Sequence, residues 1–458
     1  MTSITHSMAQ FATQSHIFPS LAKTRARDAV IDCLGCALAG SDEEVARVLL
    51  KTISYSKQLS QHLTALMLGT DFYASPTDAA LFNGTIAHAL DYDDTNHPAY
   101  AHPSAVIVPA LLSLVPICKP SGESFLSAYI IGFETFGKLG RALNTQHYKR
   151  GWHATGTLGA IASTMAAGHL LNLNSDQMVM ALGIAASSAS GLRVNFGSMV
   201  KPLHAGMAAR SGVQAALWAQ AGMLASNVAM DHDFGYLHVF NANIGFDLQP
   251  LTQMGHDLEI LTAHGLALKP YPSCGATHPG IEAAISLHEQ IKNEIITSVH
   301  AGVCEMAFSP LIHVMPNSPL EGKFSLHFCL AAALLEGRVD LATFTPTTIN
   351  NPAIRQLIPK IEMKLDEALK LDSEFPTRIQ VKTQSGQFFE AFVPLAKGKP
   401  ERWFDQKTIH RKFFDCAEST LGKIQCDCVL QAFEKLDTAP SVDQLLDLIR
   451  PSISRRLM

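Results

Sequence analysis

Leu158-Gly-Ala-Ile-Ala-Ser-Thr-Met-Ala-Ala-Gly-His-Leu-Leu171 carries almost no charge on any face it would present as a helix. A helix that is apolar or small all round is buried on most of its sides. Met178 to Ser190 reads the same way, and together the two segments predict the interior of a helical domain. Outward from them, the chain from its N-terminus to about Leu266 continues as helix after helix, many rich in Ala, Gly and Ser. Side chains of that size let helices pack closely. Ser75-Pro76-Thr77-Asp78 predicts a helix start, with Ser75 as N-cap, Pro76 at the first helical position and Asp78 in the first turn. That helix is expected to run through His88 to about Asp94.

After Lys269 the pattern changes. β-forming runs cover Val299 to Phe308 and Arg378 to Pro394. The second reads as a hairpin, with arms Arg378 to Thr383 and Phe388 to Val393 around a turn containing Ser385-Gly386. Gly322 to Glu336 has the apolar density of a helix that covers such a sheet. The predicted fold is mostly α: a large helical domain, residues 1–266 and 398–458, interrupted by a smaller α+β domain, residues 267–397. A length of 458 residues also exceeds what one hydrophobic core usually serves.

With 47% hydrophobic and 16% charged residues, the composition excludes extensive disorder. The formal charge of −5, with Lys and Arg spread along the chain, argues against a nucleic-acid partner. Met1 to Ser20 lacks the charged start and apolar run of a secretory signal. The most apolar stretch, Ala105 to Cys118, is too short to cross a bilayer and contains Pro109 and Pro116. A cytoplasmic address without membrane contact is the expectation. Nine cysteines fit reduced thiols better than a disulfide framework.

Four motifs carry candidate chemistry. The first is His88-Ala-Leu-Asp91-Tyr-Asp93-Asp94-Thr95-Asn96-His97-Pro98-Ala-Tyr100-Ala-His102-Pro103-Ser104. Helical spacing would put His88, Asp91 and Thr95 on one face, while the prolines favour an extended or turning path for His97 and His102. Acids and imidazoles held at fixed positions are what acid–base catalysis needs. Asp91 and His102 read as functional; Asp93, Asp94 and Asn96 read equally well as a helix cap and polar loop. The second is Arg150-Gly-Trp152-His153-Ala-Thr155-Gly-Thr157-Leu-Gly159, where backbone N–H groups at a helix start attract anions. The third and fourth are Asn195-Phe-Gly-Ser-Met-Val-Lys201-Pro202-Leu-His204-Ala-Gly206 and Lys269-Pro270-Tyr271-Pro272-Ser-Cys274-Gly-Ala-Thr-His278. Each sets a lysine before a proline, which favours an extended backbone there and a well-aimed ammonium. Pro202 is also placed to open a helix whose positive pole adds to Lys201 and His204.

At these motifs, and at Ala29-Val-Ile-Asp32-Cys-Leu-Gly35 and Glu321-Gly-Lys323-Phe324-Ser325, the chain resembles the MmgE/PrpD family over nearly its whole length. That family includes 2-methylcitrate dehydratase, cis-aconitate decarboxylase and iminodisuccinate epimerase. The resemblance implies a helical domain made from both chain ends, an α+β lid domain inserted late, and a homodimer. It implies a lyase, dehydratase-like or decarboxylase-like, that moves a proton beside a carboxylate of a small di- or tricarboxylate, with no cofactor and no metal. An epimerase of a dicarboxylate such as iminodisuccinate and a non-enzymatic polycarboxylate-binding protein are the alternatives.

The family's decarboxylase site maps onto Asp91, Thr95, His102, His153, Lys201 and Lys269. His102 is the first choice to carry the proton, and His153 a second carrier or a carboxylate donor. Asp91 and Thr95 would orient, and Lys201 and Lys269 would neutralise substrate oxygens. His97, His204 and His278 join Lys269 as candidate substrate-binding residues. Within Phe324-Ser-Leu-His-Phe328-Cys, Phe328 stands where the decarboxylase has a tyrosine, and so lacks a hydroxyl donor. Two rival readings remain. An iron–sulfur hydratase on Cys33-Leu-Gly-Cys36 lacks an obvious third cysteine and falls in the apolar helical pattern Ala29 to Ala39. A divalent-metal site would draw on Asp91, Asp93, Asp94, His97 and His102.

Overall fold

A computed structural model describes residues 3–55, 64–242, 244–291, 294–372 and 374–451. The chain divides into two compact units, Met1–Leu268 with Phe404–Met458, and Lys269–Trp403. The fold is mostly α.

In the first unit the main helices are α1 (Ser20–Gly40), α2 (Pro76–His88), α3 (Ser104–Cys118), α4 (Gly122–Leu143), α5 (Ala154–Leu170), α6 (Ser175–Ser188) and α7 (Val200–Gln220). From the C-terminal segment come α10 (Gln406–Leu421) and α11 (Lys423–Glu434). Ser75 Oγ caps α2 by accepting from the Asp78 N–H at 3.2 Å, with Pro76 opening the helix. Helix α5 is buried along its length except at His169. Helix α6 differs from expectation: Met178, Val179, Ala181, Leu182 and Ala185 are buried, but Ser187 and Ser188 face solvent. Alanine and serine tolerate either environment, so lack of charge alone does not mark burial on every side.

Small residues set a close helix crossing. A Cβ on Gly206 of α7 would lie 2.1 Å from the Leu81 carbonyl oxygen, and one on Gly84 of α2 would lie 2.8 Å from the Gly206 Cα. Glycine inside a helix costs roughly 0.5–1 kcal/mol relative to alanine, and here it permits backbone-to-backbone contact. That contact brings the end of α2, with His88, beside the start of α7, with Lys201 and His204. Helix α10 lies against α1 in the same manner, with Phe413 buried over Gly35. A short antiparallel pair joins β1 (Thr95–Asn96) to β2 (Leu266–Ala267).

The second unit holds a four-stranded sheet in the order β4-β3-β5-β6, built from β3 (Ile296–Val303), β4 (Ile361–Leu365), β5 (Thr377–Thr383) and β6 (Phe388–Val393). Strands β3 and β4 run parallel; the other pairs are antiparallel. The β5–β6 hairpin forms, and Gly386 takes the positive φ of +85° that its turn requires. Helices α8 (His278–Ile291) and α9 (Leu326–Glu336) supply Ile281, Leu287 and Leu330 to a core shared with Val299, Ile379 and Val381. The strand expected to reach Phe308 stops at Val303 and gives way to a tight helical turn, Glu305–Phe308. The helix expected from Gly322 begins at Leu326, because the Ser325 hydroxyl caps it by accepting from the Phe328 N–H at 3.1 Å. Phe328 is fully buried with its ring 5.8 Å from that of Phe344, which makes it a core residue of this unit. Among the described residues, no helix is long and apolar enough to cross a membrane.

Candidate active site

Helix α2 stops at His88 rather than continuing to Asp94. Three residues later Asp91 takes a left-handed backbone, φ +53°, a conformation open to aspartate at a cost of about 1–2 kcal/mol. The chain then enters β1, turns through Tyr100 (also left-handed, φ +50°) and closes on itself by the Asn96–Ala101 bridge. His88, Asp91 and Thr95 therefore do not share a helical face: Thr95 lies half-buried on the strand. The loop folds His102 back over His88 instead, with ring centroids 4.3 Å apart.

Buried Asp93 lies between these two rings. Its oxygens are 2.9 and 3.0 Å from His88 Nδ1, and Oδ2 is 3.3 Å from His102 Nδ1. His102 Nδ1 also lies 3.0 Å from the Asp94 carbonyl oxygen. Both neighbours of that nitrogen accept only, so Nδ1 carries the hydrogen and Nε2 is the basic atom of the neutral ring. His102 Nε2 is 4.0 Å from Asp91 Oδ1, the same oxygen that accepts from the Lys201 ammonium. The Nε2 of His88 is buried without a hydrogen-bond partner among the described residues. On the far side His153 stands 5.9 Å from His88, and its Nδ1 is 3.0 Å from His204 Nδ1. One of that pair must donate and the other accept.

Lys201 is buried in the first turn of α7, not on the extended backbone anticipated before Pro202. Proline is tolerated there because its missing N–H would have no helical acceptor, so the Lys-Pro pair opens a helix. His153 is the N-cap position of α5, pinned by its N–H to the Gly191 carbonyl at 3.0 Å. The next turn helps to fix His102, whose backbone N–H donates to Thr155 Oγ1 at 3.2 Å.

Electrostatics separate these groups. Burial lowers His88 to about 3, outweighing the opposite pull of Asp93. Burial, then Lys201 and the neighbouring imidazoles, hold His153 well below the usual histidine range, and burial with Lys201 lowers His204. These three rings are neutral. Burial works against the Asp93 carboxylate, yet the two imidazoles and their N–H bonds hold it well below the ordinary range. Asp94 goes the other way: burial raises it to about 8 in spite of Ser104, whose Oγ lies 2.5 Å from Asp94 Oδ2 and 2.6 Å from the Tyr129 hydroxyl.

Of the remaining sequence candidates, His97 meets the rings of Tyr100 and His264 and gives its backbone N–H to the His264 carbonyl at 3.2 Å. His278 opens α8 in the second unit and donates from Nε2 to the Ser273 carbonyl at 3.0 Å, with Tyr271 edge-on to its ring. Lys269 is buried at the start of that unit, just beyond β2. Asp93 and His88 are the members of this cluster that sequence reading undervalued; their five-residue spacing across the end of α2 was the available signal.

A metal would find its donors in His88, Asp91 and His102, whose ligand atoms lie within 4.8 Å of one another. Asp91 Oδ1 already binds the Lys201 ammonium, whose charge works against a cation beside it. Among the described residues, Asp93, Asp94 and His97 do not join that group, and Asp94 bonds Ser104 instead. Burial raises the Cys33 and Cys36 thiols well above their usual range, and Cys33 donates to the Ser104 carbonyl at 3.3 Å. Cluster ligation requires thiolates.

A family model described as the MmgE/PrpD N-terminal domain matches residues 6–249, and one described as the MmgE/PrpD C-terminal domain matches residues 271–438. The chain belongs to the MmgE/PrpD family. Among its relatives, cis-aconitate decarboxylase of Mus musculus is 27% identical, the match covering 94% of this chain and 89% of that protein. Cis-aconitate decarboxylase of Aspergillus terreus is 23% identical, over 99% of this chain and 96% of its own length. The 2-methylcitrate dehydratase of Cupriavidus necator is 25% identical, over 81% of this chain and 79% of that protein. This MmgE/PrpD chain thus matches both decarboxylases and a dehydratase.

Proposed function

We propose that this MmgE/PrpD protein is a metal-independent lyase of a small di- or tricarboxylate, dehydratase-like or decarboxylase-like, with His102 carrying the proton. The observation that supports it most is His102 Nε2 set 4.0 Å from the Asp91 oxygen bound by Lys201, while Asp93 engages Nδ1. A base, a fixed cation and an orienting carboxylate then share one buried point.

When a C–H bond beside a substrate carboxylate breaks, its electron pair delocalises onto the carboxylate oxygens. The Lys201 ammonium stabilises that charge, and His102 Nε2 takes the proton. Asp93 stabilises the imidazolium that results. In the decarboxylating sense, His102 first takes a proton from solvent, the C–C electron pair stays on carbon as CO2 leaves, and the His102 imidazolium gives that proton to the carbon. The depressed basicity of His153 supports a role as neutral donor to a substrate carboxylate, with His204 fixing its tautomer. Asp91 holds Lys201, and Thr95 is assigned to orienting substrate. Lys269 and His278 are assigned to substrate carboxylates on their sequence motif, and His97 with them. The ammonium already bound to Asp91 supports independence from metal. The cytoplasmic address and a homodimer complete the proposal; exposed Val194, Leu224 and Phe234 in the helical unit supply apolar surface for a partner copy.

The test is turnover of cis-aconitate, 2-methylcitrate, citrate and iminodisuccinate in D2O, before and after chelation. Decarboxylation is expected to place solvent deuterium on the carbon beside a carboxylate, epimerisation at the inverted centre, and dehydration run backwards in the hydrated acid, with activity unaffected by the chelator. Lys201→Ala is expected to lower kcat/KM by roughly tenfold to a thousandfold, the scale of losing one pre-organised donor. Decarboxylation, epimerisation or hydration without solvent hydrogen, or stoichiometric metal whose removal stops turnover, overturns the reading. Light scattering that shows a monomer at micromolar concentration removes the dimer.

A further inference from the structure

The C-terminal segment places one charged side chain behind the turn that carries Asp91 and Asp93. Lys412, on α10, is buried and pairs with Asp32 Oδ1 of α1 at 2.6 Å. Its Nζ also donates to the Tyr92 carbonyl oxygen at 2.8 Å and lies 3.9 Å from the centre of the Tyr92 ring. An ammonium has three hydrogens to donate, and here a carboxylate, a carbonyl and an aromatic face receive them. Burial works against the charged lysine, but Asp32 and the surrounding groups outweigh it and raise Lys412 above its ordinary range, so the ammonium persists.

Stability alone does not account for this arrangement. A buried ion pair is often no better for the fold than a well-packed apolar pair of similar volume. Among the described residues Asp32 Oδ2 has no hydrogen-bond partner, so there the carboxylate is not the hub of a wider structural network. What the pair does hold is one peptide group. The Tyr92 carbonyl belongs to the peptide that joins the left-handed turn at Asp91 to Asp93, and Asp93 aligns both His88 and His102. We infer that Lys412 is a positioning residue: its bond to the Tyr92 carbonyl fixes the Tyr92–Asp93 peptide and so sets the orientation of Asp93 toward His102. The inference rests on the proton-transfer reading of His102.

Three variants test it. Asp32→Leu with Lys412→Met replaces the ion pair by an apolar one and removes the donor to Tyr92. It is expected to fold and to lose about a hundredfold in kcat/KM, the scale of misplacing a catalytic group by about 1 Å. Asp32→Asn with Lys412→Gln removes both charges while leaving polar side chains, and carries the same expectation should the apolar pair not fold. Asp32→Asn alone keeps the lysine and its bond to the Tyr92 carbonyl; it is expected to lower the melting temperature while keeping kcat/KM within about threefold, a loss smaller than one hydrogen bond's worth. The second readout is the pH profile of kcat/KM. Its basic-group limb is expected to shift in the two double variants and to stay in place in Asp32→Asn. Wild-type kcat/KM and pH profile in a folded double variant overturn the inference. So does an Asp32→Asn enzyme that loses as much activity as the double variants, since the effect then follows the ion pair and not the carbonyl contact. His102→Ala separates the two levels: full activity in that variant removes the proton-transfer reading, whatever Lys412 does.

Discussion

His88 and His102 share one carboxylate, whereas His153 and His204 face each other nitrogen to nitrogen with none between them. The contrast shows that a carboxylate partner is not enough to make a histidine basic. His88 has the closer bonds to Asp93, yet its side chain is 0% exposed and burial lowers it to about 3. His102 shares the same carboxylate but keeps 13% of its side chain exposed, beside the Asp91–Lys201 pair. A proton carrier has to reach both a stabilising anion and the reacting molecule, and the partial exposure of His102 beside Asp93 is what the proposed proton transfer draws on. The second pair suits another task. Two neutral imidazoles that fix each other's tautomer make a directed donor.

The largest effect that bears on this contrast is expected from His102→Ala. Loss of a general acid–base group costs about a hundredfold to ten-thousandfold, and both turnover and deuterium incorporation should fall together while the fold persists. Near-normal rates in that variant would transfer the proton-carrying role to another ring. His204→Ala should cost less, about tenfold in kcat/KM, because it removes one hydrogen bond to His153 worth about 1 kcal/mol and no proton carrier. A loss as deep as that of His102→Ala would show that the second pair carries the proton. The smallest effect concerns Asp94, which neighbours the first pair but bonds Ser104. Its folded pKa is raised to about 8 by burial, against about 3.9 when unfolded. Its stabilising contribution is therefore fully present below about pH 3.9 and lost as pH rises through 8. Asp94→Asn mimics the protonated acid, so the variant's melting temperature should decline less than the wild type's between pH 6 and pH 9. Parallel curves for the two proteins would mean that Asp94 is ionised in the fold at neutral pH.

Much of the helical unit was legible in the sequence. The Ser75-Pro76 start of α2 follows from local capping chemistry, and the uncharged run that became α5 admits no exposed face. The hairpin β5–β6 was legible for the same reason, since alternation and a glycine turn act over a few residues. Termination was harder. Sequence periodicity continued α2 to Asp94, but the Gly84–Gly206 crossing and the return of His102 over His88 end it at His88. Lys201 was found by its motif with the wrong backbone, because proline before a helix and proline within its first turn look alike in sequence. Phe328 was read as a site substitution, while its burial against Phe344 depends on how α9 packs.

The sequence by itself determined the family, the helix-forming segments, and the stock of imidazoles, acids and lysines at four motifs, because each depends on residue identity and short-range spacing. Which of those groups is basic, which is neutral and which only holds another in place was decided by tertiary structure. Asp93 reads as a helix cap until folding sets it between His88 and His102, and Lys412 shows no signal until α10 carries it across 320 residues to the Tyr92 carbonyl. The reason is physical. Proton affinity and orientation depend on burial and on charges a few ångströms away, and in this chain those neighbours come from segments remote in sequence.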